Sequence, residues 1–288
     1  MSTDLLPALQ KDDALLKDIQ QASSDREAFY LWWLGQSGYL VQWHGQYLLL
    51  DPYLSDSLTH KYARTEKPHT RMSELVIDPS RLNFIDVVTS SHNHTDHLDG
   101  DTLKPLFRVN PDLKLIIPEA NRDFVAERVG IDAARPFGLN DGEQISIGDF
   151  TIHAVPAAHE TVERDEAGRS KFLGYVVQFG PHTLYHSGDT MWYDGIAEAL
   201  APFTIDVALL PINGRDPKRK VAGNLSAEEA VQLAKEVSAR LVIPCHYDMF
   251  TFNTADPSDF VQAAEAQNQA CHVLRVGEHW NSHQLPPA

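Results

Sequence analysis

Hydrophobic and polar positions alternate along this chain in blocks that separate helices from strands. Residues 4–22 carry Leu5, Leu6, Leu9, Leu15, Leu16 and Ile19 among polar residues, an amphipathic helical pattern. Such a helix packs on the main body or on a partner subunit, so residues 1–28 are read as a helical extension. Phe29–Leu34 is an apolar run that predicts a buried strand. Gly35-Gln36-Ser37-Gly38 turns the chain into a strand at Tyr39–Trp43, and His44-Gly45 turns it into a third at Gln46–Leu50, ending at Asp51-Pro52. Phe84–Thr89 and Leu241–Ile243 read as further buried strands, and Val273–Val276 as a short last one. Helices are expected at Asn121–Val129, closed by Gly130, from the capping box Ser226-Ala227-Glu228-Glu229 onward, and from Asp256-Pro257 to about Gln269.

A repeat organises these elements. Gly38-Tyr39-Leu40-Val41-Gln42-Trp43 is matched by Gly174-Tyr175-Val176-Val177-Gln178-Phe179, and each copy leads through a turn to a strand ending in an aspartate, Asp51 or Asp189. Ile85-Asp86-Val87-Val88 is echoed by Ile205-Asp206-Val207-Ala208. The order predicts an α/β (α+β) chain of two similar halves, about 29–140 and 141–288, each a run of antiparallel strands followed by helices. Packed face to face they make a four-layer αββα sandwich within one domain, 29–288, with both sets of strand-end loops along one edge.

Composition narrows the function. The 24 basic and 40 acidic residues leave a formal charge of -16, which repels polyphosphate backbones and argues against nucleic acid. Only Cys245 and Cys271 are present, too few for a disulfide framework. No apolar run reaches transmembrane length, and Met1–Asp4 lacks the features of a signal peptide, so the expectation is a cytoplasmic protein with no membrane partner.

The chemistry concentrates in Ser91-His92-Asn93-His94-Thr95-Asp96-His97-Leu98-Asp99, directly after an apolar strand. With 14 histidines in 288 residues, an H-x-H-x-D-H match arises by chance in roughly a few per thousand such chains. Imidazoles and a carboxylate on a short loop suit a divalent transition metal. Three more residues of ligand type follow apolar stretches: His159, Asp189 and His246. His186 is a second histidine beside the Asp189 loop, read as a hydrogen-bond donor or a packing residue. Asn213 and Arg215 follow the second Ile-Asp-Val strand, where a guanidinium would clamp an anion or form an internal salt bridge. Lys218, Arg219 and Lys220 make a basic run, either a solvated loop or an anion funnel. Tyr247, beside His246, is a candidate to polarise a substrate oxygen.

These motifs in this order resemble the metallo-β-lactamase superfamily over roughly residues 29–280. The resemblance implies the metallo-β-lactamase fold and a dinuclear centre: His92, His94 and His159 on one metal, Asp96, His97 and His246 on the second, and Asp189 bridging both. It makes Asp51 a hydrogen-bond partner of the ligands. It also implies a hydrolase using a metal-bridging hydroxide, with Asp96 or Asp189 relaying the proton. No cysteine stands at a ligand position, so zinc, manganese, iron and nickel all suit the site. Trp32-Trp33-Leu34-Gly35, Leu184–Asp189 and Val242–His246 are similar to the ascorbate-6-phosphate lactonase group, implying a lactone or ester of a small anionic, phosphorylated metabolite and a homo-oligomer. Ser91–Asp99 and Pro156–His159 are also similar to N-acyl-phosphatidylethanolamine phospholipase D-like phosphodiesterases. A third alternative is a non-hydrolytic metal-binding or di-iron redox protein.

Overall fold

A computed structural model describes residues 5–219 and 223–287. In chain order the strands are β1 (Tyr30–Gly35), β2 (Gly38–Trp43), β3 (Gln46–Leu50), β4 (Val87–Thr89), β5 (Lys114–Pro118), β6 (Phe137–Leu139), β7 (Gln144–Ile147), β8 (Phe150–Pro156), β9 (Leu173–Phe179), β10 (His182–His186), β11 (Val207–Pro211), β12 (Leu241–Cys245) and β13 (His279–Asn281). The helices are α1 (Asp12–Ala22), α2 (Ser57–Tyr62), α3 (Gly100–Val109), α4 (Arg122–Val129), α5 (Ile196–Leu200), α6 (Ala227–Glu236) and α7 (Pro257–Gln267).

The strands build two sheets, β13-β1-β2-β3-β4-β5-β6 and β12-β11-β10-β9-β8-β7. The sequence repeat is a repeat of pairing. In one sheet β1, β2 and β3 run antiparallel and β4 and β5 then add in parallel. In the other, β8, β9 and β10 run antiparallel and β11 and β12 add in parallel. The expected all-antiparallel halves are therefore corrected to mixed sheets. Helices α3 and α6 lie between β4 and β5 and between β11 and β12, and a crossover through a helix returns the chain parallel to its start. All residues of β2, β11 and β12 are buried, as strands covered on both faces require. The sheets and helices form an α/β sandwich.

Three further boundaries move. The amphipathic run at 4–22 is helical only from Asp12, because the backbone N–H groups of Leu6, Leu9 and Asp12 are given to the body instead of to a helix. Ahead of the helix an extended arm pairs with the body, Leu6 N–H donating to Met72 O at 2.7 Å and Leu9 N–H to Val276 O at 2.8 Å. Helix α1 packs on the body itself, burying Leu15, Ile19 and Ala22, while Asp18 accepts from Trp32 Nε1 at 2.8 Å. The strand expected at Val273–Val276 does not form. Leu274 and Val276 are buried, but their carbonyls are taken by Tyr247 Oη and Leu9 N–H rather than by a ladder. The last strand forms instead at β13, back in the first sheet against β1.

Candidate metal centre

The ligand-type residues all follow C-terminal ends of strands. Asp51 follows β3, the His92–His97 loop follows β4, His159 follows β8, Asp189 follows β10 and His246 follows β12. Apolar β-strands, buried by their own side chains, bring these ends to one edge between the sheets. The loop after β4 closes on Asp99, which caps α3 and also accepts from Ser57 Oγ at 2.9 Å and Thr102 Oγ1 at 2.6 Å. Arg128 of α4 holds the loop from outside, donating to Asn93 O at 2.7 Å.

The structure brings the seven residues into two groups. Ligand atoms of His92, His94 and His159 lie within 4.8 Å of one another, as do those of Asp96, His97, Asp189 and His246. Asp189 joins the groups: its Oδ2 is 3.6 Å from His159 Nε2 and 3.4 Å from His246 Nε2, and its Oδ1 is 3.2 Å from His97 Nε2. The imidazoles are oriented from behind. His159 Nδ1 lies 2.9 Å from Gly223 O and His97 Nδ1 lies 2.8 Å from Asp51 Oδ2, so each ring donates at Nδ1 and turns its Nε2 inward.

Asp51 is fully buried and holds four donors: His97 Nδ1, Ser91 N–H at 2.9 Å, Thr89 Oγ1 at 3.0 Å and Ser91 Oγ. Burial alone would raise its pKa, but the His97 hydrogen bond and the fields of His186 and His97 hold it below the usual carboxylate range. At Asp189 burial is likewise outweighed by His246 and His97, leaving the carboxylate well below its ordinary value. Burial drives His92 well below the usual histidine range, assisted by His97 and His94, so it stays a neutral donor. His97 goes the other way: burial opposes its charge, yet Asp189 and Asp96 raise it well above 6.5.

A cation fits this donor set. His92 Nε2, His97 Nε2 and Asp189 Oδ1 are buried without hydrogen-bond partners. Buried nitrogens and carboxylate oxygens converging on one space are expensive unless positive charge lies among them. The same field that raises His97 favours a divalent ion.

The remaining sequence candidates lie elsewhere. Arg215 forms a two-pronged ion pair with Glu229, at 2.8 and 3.0 Å, and does not line the cavity above the centre. Glu229 belongs to the capping box of α6, so the box also claims the guanidinium. Tyr247 is buried, stacks on Trp33 at 4.3 Å between ring centres and gives its hydroxyl to Leu274 O, which leaves none for a substrate. Asn213 stands one step back: it donates to Asn253 Oδ1 at 3.0 Å, and Asn253 lines the cavity. His186 is buried, its Nε2 2.9 Å from Ser37 O, and is not on the cavity wall. Arg219 donates to Asn213 O at 2.6 Å, and Lys220 lies outside the described residues.

Sequence reasoning passed over the cavity wall. The space above the centre measures about 500 Å³, and Lys61, Lys67, His69, Arg128, Phe124 and Phe252 line it beside His94, Asp96 and Asp189. Lysines and arginines are ordinary surface residues, and no spacing sets these apart. Among the described residues, no helix is long and apolar enough to cross a membrane.

The β-lactamase superfamily domain matches residues 46–247 of this chain. A metal-dependent hydrolase of Caldivirga maquilingensis is 25% identical over 252 residues, 86% of this chain and 96% of that protein. The "Probable L-ascorbate-6-phosphate lactonase" of Escherichia fergusonii is 25% identical over 276 residues, covering 85% of this chain and 77% of that protein. Among solved structures, Igni18, a metallo hydrolase of Ignicoccus hospitalis, shares the fold with a TM-score of 0.63 at 23% identity, over 88% of this chain and 98% of that one. The chain belongs to the metallo-β-lactamase superfamily, as a metal-dependent hydrolase.

Proposed function

We propose that the protein binds two divalent cations and hydrolyses the lactone or ester bond of a small anionic metabolite. The observation that carries this reading is the position of Asp189, whose Oδ2 lies within 3.6 Å of a donor nitrogen from each group. His92, His94 and His159 would hold one ion, Asp96, His97 and His246 the other, with Asp189 shared. Bound there, two cations lower the pKa of water and polarise the attacked carbonyl; zinc and manganese both suit the nitrogen and oxygen donors.

The chain's own residues supply the rest. Of the two carboxylates on the cavity wall Asp96 is the more open, its side chain 16% exposed against 4% for Asp189, which suits it to accept a proton from water and pass it to the leaving oxygen. Lys61, Lys67 and Arg128 give the wall a local positive charge in a protein of net charge -16, which supports an anionic substrate. Phe124 and Phe252 on the same wall exclude water from one side of the bound molecule.

Elemental analysis of the metal-reconstituted protein should give two metal ions per chain, and fewer than two would sink the reading. A panel of phosphorylated and carboxylated lactones, run beside bis-p-nitrophenyl phosphate, separates carbon from phosphorus chemistry. Turnover confined to the phosphodiester would replace the lactone by the phospholipase D-like alternative. Asp189→Ala should lose metal and turnover together.

A further inference from the structure

Gln36 enters the centre from behind. It lies in the turn between β1 and β2, 1% exposed, with φ at +52°, a left-handed conformation that a residue with a Cβ adopts only under constraint. The constraint is visible: its carbonyl oxygen accepts from Trp33 Nε1 at 3.0 Å and from the His246 backbone N–H at 3.1 Å. So held, the side chain places its amide Nε2 2.8 Å from Asp96 Oδ2, to which it donates, and 2.9 Å from His246 Nε2. Its Oε1 is buried with no hydrogen-bond partner. Gln36 is not on the cavity wall, so contact with substrate does not account for it.

We propose that Gln36 is a ligand of the cation held by Asp96, His97, Asp189 and His246, donating its side-chain carbonyl oxygen from the side opposite the cavity. The inference rests on the two-cation reading above. Neighbouring donors around a six-coordinate ion with bonds of about 2.1 Å stand roughly 3 Å apart, and the amide end stands at that spacing from two of the donors. A half-turn about Cγ–Cδ exchanges Oε1 and Nε2, bringing the carbonyl oxygen beside the Asp96 oxygen and the His246 nitrogen. Three lone-pair donors crowd together in this way around a cation. A purely structural role accounts less well for the residue, since a strained backbone and an unmatched buried carbonyl both work against folding. Asp96, His97, Asp189, His246 and Gln36 together offer five donors, more than tetrahedral zinc uses. Added carboxylate and carbonyl oxygens favour manganese at this position, while His92, His94 and His159 suit either metal.

The test is Mn²⁺ binding to metal-free protein, by titration calorimetry and by the electron paramagnetic resonance of the bound ion, with circular dichroism to verify the fold. Wild type should take two Mn²⁺ per chain. Gln36→Leu should bind one as before and the second at least about tenfold more weakly, with a changed spectrum for that ion, whereas Gln36→Glu, which keeps an oxygen there, should take two. Should the leucine variant fail to fold, Gln36→Asn, which withdraws the amide by one methylene, carries the same expectation of a weakened second ion. Two Mn²⁺ bound to a folded Leu or Asn variant with unchanged affinity would overturn the assignment. Tighter binding would overturn it too, marking the amide as a competitor for His246. If wild type itself takes fewer than two ions, the two-cation reading falls and this proposal with it; two in wild type and in Gln36→Leu alike removes only the proposal.

Discussion

At the scale of single residues, the site was legible where chemistry restricts the choice of side chain. Few residue types ligate a transition metal, so His92, His94, Asp96, His97, His159, Asp189 and His246 stand out once each is seen to follow an apolar stretch, and the structure brings all seven together. Gln36 and Lys61 were not legible, because amides and lysines occur on every surface. Arg215 was open to misreading because its partner Glu229 is fourteen residues away and already explained by the capping box. Asp51 lies between these cases: its place at a strand end was visible, its four donors were not. Asp51→Asn swaps one acceptor oxygen for an NH₂ facing donors, so His97 Nδ1 loses its partner or a Ser91 donor does. We expect metal affinity to fall about 10–100-fold, measured by competition with a chelating dye. An unchanged affinity would mean that the ring of His97 is oriented by its packing instead.

At the scale of elements, local signals carried and distant pairings did not. The hairpin turns and the capping box are written in neighbouring residues, and the box forms with Ser226 and Glu229 each bonding the other's backbone. The parallel additions of β4 and β11 depend on partners far along the chain, so nothing local announces their direction. Helix α3 is masked by Gly100 at its start and Pro105 inside it, both of which weaken a helical pattern. The loop before Asp189 shows how tightly elements must meet to assemble the centre. Gly188 has φ at +60°, and a Cβ there would stand 2.5 Å from both Cβ and Oγ of Ser91, the residue that bonds Asp51 and precedes His92. Left-handed strain and the collision each cost on the order of 1–3 kcal/mol. Gly188→Ala should therefore lower unfolding stability by about 2–6 kcal/mol in urea titrations and weaken metal binding with it. A variant of native stability would mean that the two loops separate freely, against the packing seen between them.

At the scale of the whole molecule, two electrostatic fields of opposite sign act on an anionic substrate. The net charge of -16 repels it from a distance, while Lys61, Lys67 and Arg128 attract it at the cavity. Distance decides which is screened first. The Debye length is about 30 Å at 0.01 M salt, about 8 Å at 0.15 M and about 3 Å at 1 M. Added salt therefore removes the long-range repulsion before it reaches the short-range attraction. For an anionic substrate kcat/KM should rise between about 0.01 and 0.15 M and fall toward 1 M. Lys61 lines this wall with its ammonium 5.1 Å from the centre of the Tyr62 ring, and is not one of the metal donors. Lys61→Glu should raise KM with little change in kcat, and should leave the rising limb of the salt profile while flattening the fall. The profile of a neutral substrate, run alongside, should be flat in both proteins. A steady fall with salt in wild type and variant alike would place the decisive attraction elsewhere than at Lys61, and would make the net charge irrelevant to substrate capture.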